Sequence, residues 1–336
     1  MHRLCRGRHL KQLFDILILE TVRSDFMNKK VYLRGKVGQY WYNFTEMLVY
    51  TLTARPCPKE LEYHKTKYGA DSQQKIYTYF KKDSIAEKKP LLIYIHGGGW
   101  ISGITPMRNR YVSEWAKKGF YCASIGYTWA PKKIYPAQLH EIFTALDKIL
   151  DDAEKHNVDT QNVVIAGESA GGYYISYVAS CLNNKAILDH LNIDFKHFGK
   201  VKIKALVSIC GCFDLARLTD TSKEQSKYPD IKMMASTFVG KSFAETVDFL
   251  KTDDAKYYSP LISADFPPTF AVWAVNDKLQ YETFDLCADF DRLGVEYKQF
   301  KADGIIGNHA WAIMPIFKKS QVCFDEALEF VNKHLD

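Results

Sequence analysis

The sequence predicts an α/β architecture: a mostly parallel central sheet, flanked by helices on both faces, with a helical cap. Three observations predict it. From about residue 74 onward, short apolar runs alternate with longer stretches of helical period. The apolar runs are nearly continuous rather than alternating, which is the pattern of strands buried on both faces. The helical stretches also have clear ends, as at Lys117-Lys118-Gly119 and Arg292-Leu293-Gly294, where basic residues and then glycine close a last turn.

Composition narrows the function classes. With 336 residues, 47% of them hydrophobic, the chain has enough apolar material for a large core, which excludes a disordered tail or a fibrous repeat. Its 45 Lys plus Arg exceed its 39 Asp plus Glu by six, and the excess is dispersed, so nucleic acid is not an expected partner. No run approaches the roughly 20 apolar residues that cross a bilayer, because the segment from Leu13 to Leu19 is short and carries Asp15; stable membrane insertion is not expected. The eight cysteines lack Cys-x-x-Cys or paired Cys/His spacing, which points to reduced thiols in a cytoplasm and to no metal site.

Taken in chain order, the first 26 residues join a basic patch to a brief apolar run and read as a helix of unassigned role. A presequence and a start at Met27 are the alternatives. Residues 1–60, rich in Tyr, Trp and Leu, form an N-terminal helical segment assigned to the cap. Within residues 61–336, strands are expected at 75–80, 90–96, 121–127, 163–167, 205–210, 269–275 and 296–301, and helices at 108–118, 136–155, 171–182, 281–293 and 316–334. The stretch at about 213–260 breaks the alternation and is the expected cap-forming insertion.

Chemistry is concentrated in two glycine-rich turns. The apolar run Val163 to Ala166 leads directly into Gly167-Glu168-Ser169-Ala170-Gly171 and then into a helix, the strand-turn-helix setting that a G-x-S-x-G nucleophile requires. The tight turn exposes the Ser169 hydroxyl and leaves the Ala170 N–H, at the helix N-terminus, facing any negative charge that develops on a substrate oxygen. Upstream, His96-Gly97-Gly98-Gly99-Trp100 ends another buried strand. There Gly98 and Gly99 can bring backbone N–H groups to a carbonyl oxygen without Cβ atoms in the way, with Gly97 shaping the turn and His96 bonding within the loop.

With Tyr127-Thr128-Trp129-Ala130-Pro131 and Tyr135-Pro136-Ala137 added, the chain resembles the hormone-sensitive-lipase-like carboxylesterase branch of the α/β-hydrolase superfamily, over roughly residues 75–335. It departs from that branch at Lys132, where Glu is usual, and at Glu168, where Asp or Thr is usual. The resemblance implies an α/β-hydrolase fold, a small-molecule ester substrate with a short to medium acyl chain, and no cofactor. In this fold the acid and base follow the serine in that order. The strand at 269–275 ends in Asn276-Asp277-Lys278-Leu279, similar to the branch's Asp-Pro-Leu, which makes Asp277 the expected carboxylate ahead of Asp285, Asp289, Asp291 and Asp303. His309, in the loop from Ala302 to Trp311 before the last helix, is the expected base. Trp100, Trp129 and Tyr173 are candidates to line a substrate pocket. A formamidase or other amidase on the same scaffold, and a non-catalytic ligand-binding homologue, are the competing readings. A homodimer through an edge strand or the C-terminal helix has no specific support in the sequence.

Overall fold

The computed structural model describes residues 29–53, 57–82 and 88–335, so the helix expected within residues 1–26 and the alternative start at Met27 lie outside the described residues. Among these residues, eight strands form one sheet: β1 (Leu61–Lys67), β2 (Lys75–Lys81), β3 (Lys89–Ile95), β4 (Tyr121–Ile125), β5 (Val158–Glu168), β6 (Ile203–Ile209), β7 (Thr269–Ala274) and β8 (Tyr297–Ala302). Their order is β1-β2-β4-β3-β5-β6-β7-β8; β2 is antiparallel to both neighbours and every other pairing is parallel. The helices, in chain order, are α1 (Lys29–Thr53), α2 (Asn109–Lys117), α3 (Ala137–Asp151), α4 (Ala170–Asn183), α5 (Lys185–His190), α6 (Leu215–Thr219), α7 (Pro229–Val239), α8 (Phe243–Phe249), α9 (Gln280–Leu293) and α10 (Lys318–His334).

The period-2 geometry of the strands sorts the core into two layers. Leu91, Ile93 and Ile95 of β3 point to one face, where they join Ile142 and Leu146 of α3 and Ile175 of α4. Leu92 and Tyr94 point to the other face, beside Trp115 of α2 and Phe324 and Val331 of α10. Both layers are fully covered, which is why the parallel strands read as unbroken apolar runs. Each buried Leu or Ile contributes about 1.5–3 kcal/mol relative to exposure.

Two strands differ from expectation. β1 was not expected; all seven of its residues pair with β2, but only Leu61 is buried, so the strand is held by backbone bonds at the sheet edge and carries no apolar alternation. β5 begins five residues before the expected Val163, because Val158 and Asp159 pair with Lys89 and Pro90 across a shift in register.

Among the described residues, the regions that break the alternation supply the helices α1, α6, α7 and α8. Pro at the first turn opens α7 and Gly240, at φ 82°, closes it, while a Ser242–Glu245 capping box starts α8. α1 lies on α7 at close range: a Cβ on Gly35 would fall 2.4 Å from Thr237 Cγ2, and one on Gly38 2.4 Å from Met233 Cε. Gln39 fastens α1 to the sheet side, its Nε2 donating to the carbonyls of Ile101 and Ala130, both at 3.0 Å. The opposite face of α1 exposes Leu33, Val37, Trp41, Phe44 and Leu48.

Candidate active site

Parallel pairing aligns the C-terminal ends of the central strands, Ile95 opposite Gly167, Glu168 opposite Ile209 and Ile209 opposite Val272. Of the predicted site residues, Gly98, Gly99, Ser169, Ala170, Asp277 and His309 lie beyond those ends or that of β8, the edge at which open α/β sheets bind ligands. Ser169 sits between β5 and α4 with φ 56° and ψ −123°, a backbone state that non-glycine residues rarely adopt. No space is left around the turn: a Cβ on Gly171 would meet the Ile95 carbonyl at 2.1 Å, and one on Gly97 would meet the Glu168 carbonyl oxygen at 2.3 Å and Ser169 Cβ at 2.8 Å.

Asp277, three residues past β7, and His309, in the loop after β8, are brought together, with His309 Nδ1 2.8 Å from Asp277 Oδ2. Asp277 is buried, and its Oδ1 accepts from the Leu279 N–H at 2.9 Å. Burial raises the Asp277 pKa, but the His309 hydrogen bond and charge, with the Leu279 N–H and the Cys210 thiol, outweigh it and leave the carboxyl below its ordinary range. For His309, burial pulls the pKa down, yet the hydrogen bond and charge of Asp277 and the charge of Glu168 prevail and raise it above the ordinary histidine value. Donor atoms of Cys210, Asp277 and His309 lie within 4.8 Å of one another. Burial and the neighbouring Asp277 charge push the Cys210 thiol far up, which suits a hydrogen-bond donor to Asp277.

The loop from His96 to Trp100 is built for exposed amides. Gly98 has φ 115° and Gly99 φ 58°, and the Gly98 carbonyl accepts from the Ile101 and Ser102 N–H groups at 3.2 and 3.0 Å and from Ser102 Oγ at 2.8 Å. Among the described residues, the N–H groups of Gly98, Gly99 and Ala170 have no hydrogen-bond partner. His96 is buried, 2.7 Å from the Gly97 carbonyl through Nδ1 and stacked on Tyr127 at 4.5 Å. Burial, with the Arg108 charge, lowers its pKa to about 4, so it is a neutral scaffold residue.

Beneath the serine lies a buried ion pair that pattern reading missed. Glu168 Oε1 accepts from Arg108 Nε at 2.6 Å and from the Gly97 N–H at 2.9 Å, and Oε2 accepts from the Tyr94 hydroxyl at 2.5 Å. Burial alone would raise the Glu168 pKa; the Arg108 charge and these hydrogen bonds outweigh it and keep it ionised. The departure at residue 168 is thus answered by a cation 60 positions away, and an acid in a buried turn was the available signal. Lys132, the other departure, pairs with Asp71 at 2.6 Å.

Ser169, Asp277, His309, Gly98 and Gly99 line one cavity of about 570 Å³, whose outer wall includes Tyr42 and Thr45 of α1 and Asp230, Ile231 and Met234 of α7. Lys278 stands where the resembled branch has proline. It reaches Asp230 at 2.8 Å, and the Tyr42 hydroxyl donates to the same carboxylate oxygen at 3.2 Å. Trp100, Trp129 and Tyr173 do not line this cavity. Trp100 is buried against Phe238 at 4.9 Å, Tyr173 is wholly buried edge-on to Trp100, and Trp129 packs on the same core layer, so these aromatics fill the interior.

This fold and this arrangement of elements define an α/β hydrolase. The chain belongs to the BD-FAE family, whose model matches residues 77–282. Curated relatives include Esterase LipC of Mycobacterium tuberculosis, 27% identical over 44% of this chain and 36% of its own length, and arylacetamide deacetylase of Bos taurus, 36% identical over 27% and 24%. The chain thus spans well under half the length of the curated relatives it matches. Among solved structures, Esterase B of Lactobacillus rhamnosis superposes with a TM-score of 0.75 at 18% identity, covering 91% of this chain and 95% of that one, a likeness of fold. Among the described residues, no helix is long and apolar enough to cross a membrane, and the seven cysteines are free.

Proposed function

We propose that the protein is a serine carboxylic-ester hydrolase acting on small esters of short to medium acyl chain. The observation that carries this reading is the strained Ser169 turn opening on the same cavity as His309, which is paired at 2.8 Å with the buried Asp277. In this mechanism His309 accepts the Ser169 proton through Nε2 as Oγ attacks the ester carbonyl, and Asp277 fixes the imidazole orientation through Nδ1 and stabilises its cation. The unmet N–H groups of Gly98, Gly99 and Ala170 take the oxyanion. Collapse of the tetrahedral intermediate expels the alcohol, protonated by His309, and water activated by the same histidine then hydrolyses the acyl-enzyme. These side chains and amides supply the acid–base and electrostatic steps themselves.

We also assign α1 and α7 to a cap that forms the outer wall of the cavity. The test is hydrolysis of p-nitrophenyl acetate, butyrate, octanoate and laurate by the native protein and by Ser169→Ala, with an N-formyl anilide alongside. Native activity that declines with chain length and disappears in the variant supports the reading. A preference for the formyl amide replaces it with an amidase, and equal background rates in both proteins overturn it.

A further inference from the structure

We propose that the cavity selects esters bearing a carboxylate, held by Arg110. This inference rests on the hydrolase reading above and names the substrate class of the same site.

Among the described residues, every carboxylate on the cavity wall already has a basic partner: Glu168 has Arg108 at 2.6 Å, Asp230 has Lys278 at 2.8 Å, and Asp277 has His309 at 2.8 Å, a pair that is ionic only when the imidazole is protonated. Arg110, in the first turn of α2, is also a wall residue and is left over. Among the described residues it makes no ion pair and no side-chain hydrogen bond, and its Nη1 is shut off from solvent without an acceptor. A guanidinium on a cavity wall with no acidic partner is best met by a carboxylate, whose two oxygens match the guanidinium fork. The local field has the same sign, because the first turn of α2 contains no acidic residue and its positive end lies at this wall. A substrate with a negative group would therefore give Arg110 the acidic partner that no carboxylate of the cavity wall supplies. The cavity, at about 570 Å³, is of a size that holds a small ester together with such a group.

The test compares kcat/KM for matched charged and neutral esters. On the acyl side the pair is the 4-nitrophenyl monoester of adipic acid and 4-nitrophenyl heptanoate; on the alcohol side it is 4-acetoxybenzoate and phenyl acetate. In Arg110→Gln the charged-to-neutral ratio should fall roughly 10- to 100-fold on one of the two sides, and Arg110→Lys should restore part of it. The native protein gives an independent readout if the variants do not fold: adipate should inhibit hydrolysis of the neutral ester competitively, and less so as salt is raised. Parallel loss on charged and neutral esters makes Arg110 structural and overturns the proposal, as does the absence of both adipate inhibition and any Arg110-dependent preference. If Ser169→Ala leaves all rates unchanged, the hydrolase reading itself fails. If that variant is dead but charge goes unread, only the present inference fails.

Discussion

Replacing Glu168 by Gln keeps the shape of the side chain and removes its charge. The Arg108 guanidinium, with a side chain 7% exposed, would then lose the Glu168 charge while staying buried, and the Tyr94 hydroxyl and Gly97 N–H would lose an anionic acceptor. Breaking one partner of a buried pair typically costs about 3–5 kcal/mol. An unfolding entropy of roughly 2.1 cal/mol/K per residue gives about 0.7 kcal/mol/K for a chain of this length, so the melting temperature should drop by about 4–7 °C. Arg108→Gln should lose a similar amount. The double variant, with neither charge left, should be more stable than the two losses summed, by up to about 3 kcal/mol. Activity should fall in both single variants, since the Gly97 N–H that Glu168 holds fixes the entry to the Gly98–Gly99 turn. Thermal unfolding by circular dichroism across the four proteins is the assay. A drop below about 1 °C for Glu168→Gln, or losses that add within about 0.5 kcal/mol, would refute the coupling.

Two further outcomes are expected from the site. Because Asp277 holds the His309 pKa above the ordinary value of about 6.5, and the neutral imidazole is the active base, kcat/KM should fall with decreasing pH through a limb above that value. In Asp277→Asn the larger of the causes that raise the pKa is gone, with only the Glu168 charge left against burial, so the limb should move to lower pH as kcat drops; a limb that stays put contradicts the pairing. Gly97→Ala places a methyl 2.3 Å from the Glu168 carbonyl oxygen, which belongs to the nucleophile turn and cannot swing aside. A loss of kcat on the order of 100-fold or more is expected, and a variant retaining a tenth of native kcat would show that the turn yields.

What the sequence made legible is what backbone geometry dictates locally. A strand followed by Gly167, Ser169 and Gly171 leaves few conformations open, and the His96 to Trp100 loop likewise needs glycine at positive φ, so both turns could be read from a few adjacent residues. Asp277 and His309 followed from the order of elements in the fold. The Arg108–Glu168 pair has no local mark, because a buried acid announces its need for a cation and not where the cation comes from. Trp100 and Tyr173 were misplaced for a related reason: an aromatic beside a glycine turn has the same pattern whether it faces a cavity or packs on Phe238. Strand β1 escaped notice because periodicity reports burial, and that strand is nearly all exposed.

The two margins of the sheet bear on how copies of this chain can meet. β1 offers its open side flanked by exposed Lys65 and Lys67, and β8, at the far end, carries Lys298 and Lys301. Joining two molecules strand to strand at either margin would crowd lysines of like charge together, the device by which open sheets resist merging into longer ones. Among the described residues, the large uncovered apolar area is elsewhere, on the outer side of α1, so self-association built on it would run through a helix surface and leave the hydrogen-bonding edges of the sheet in water.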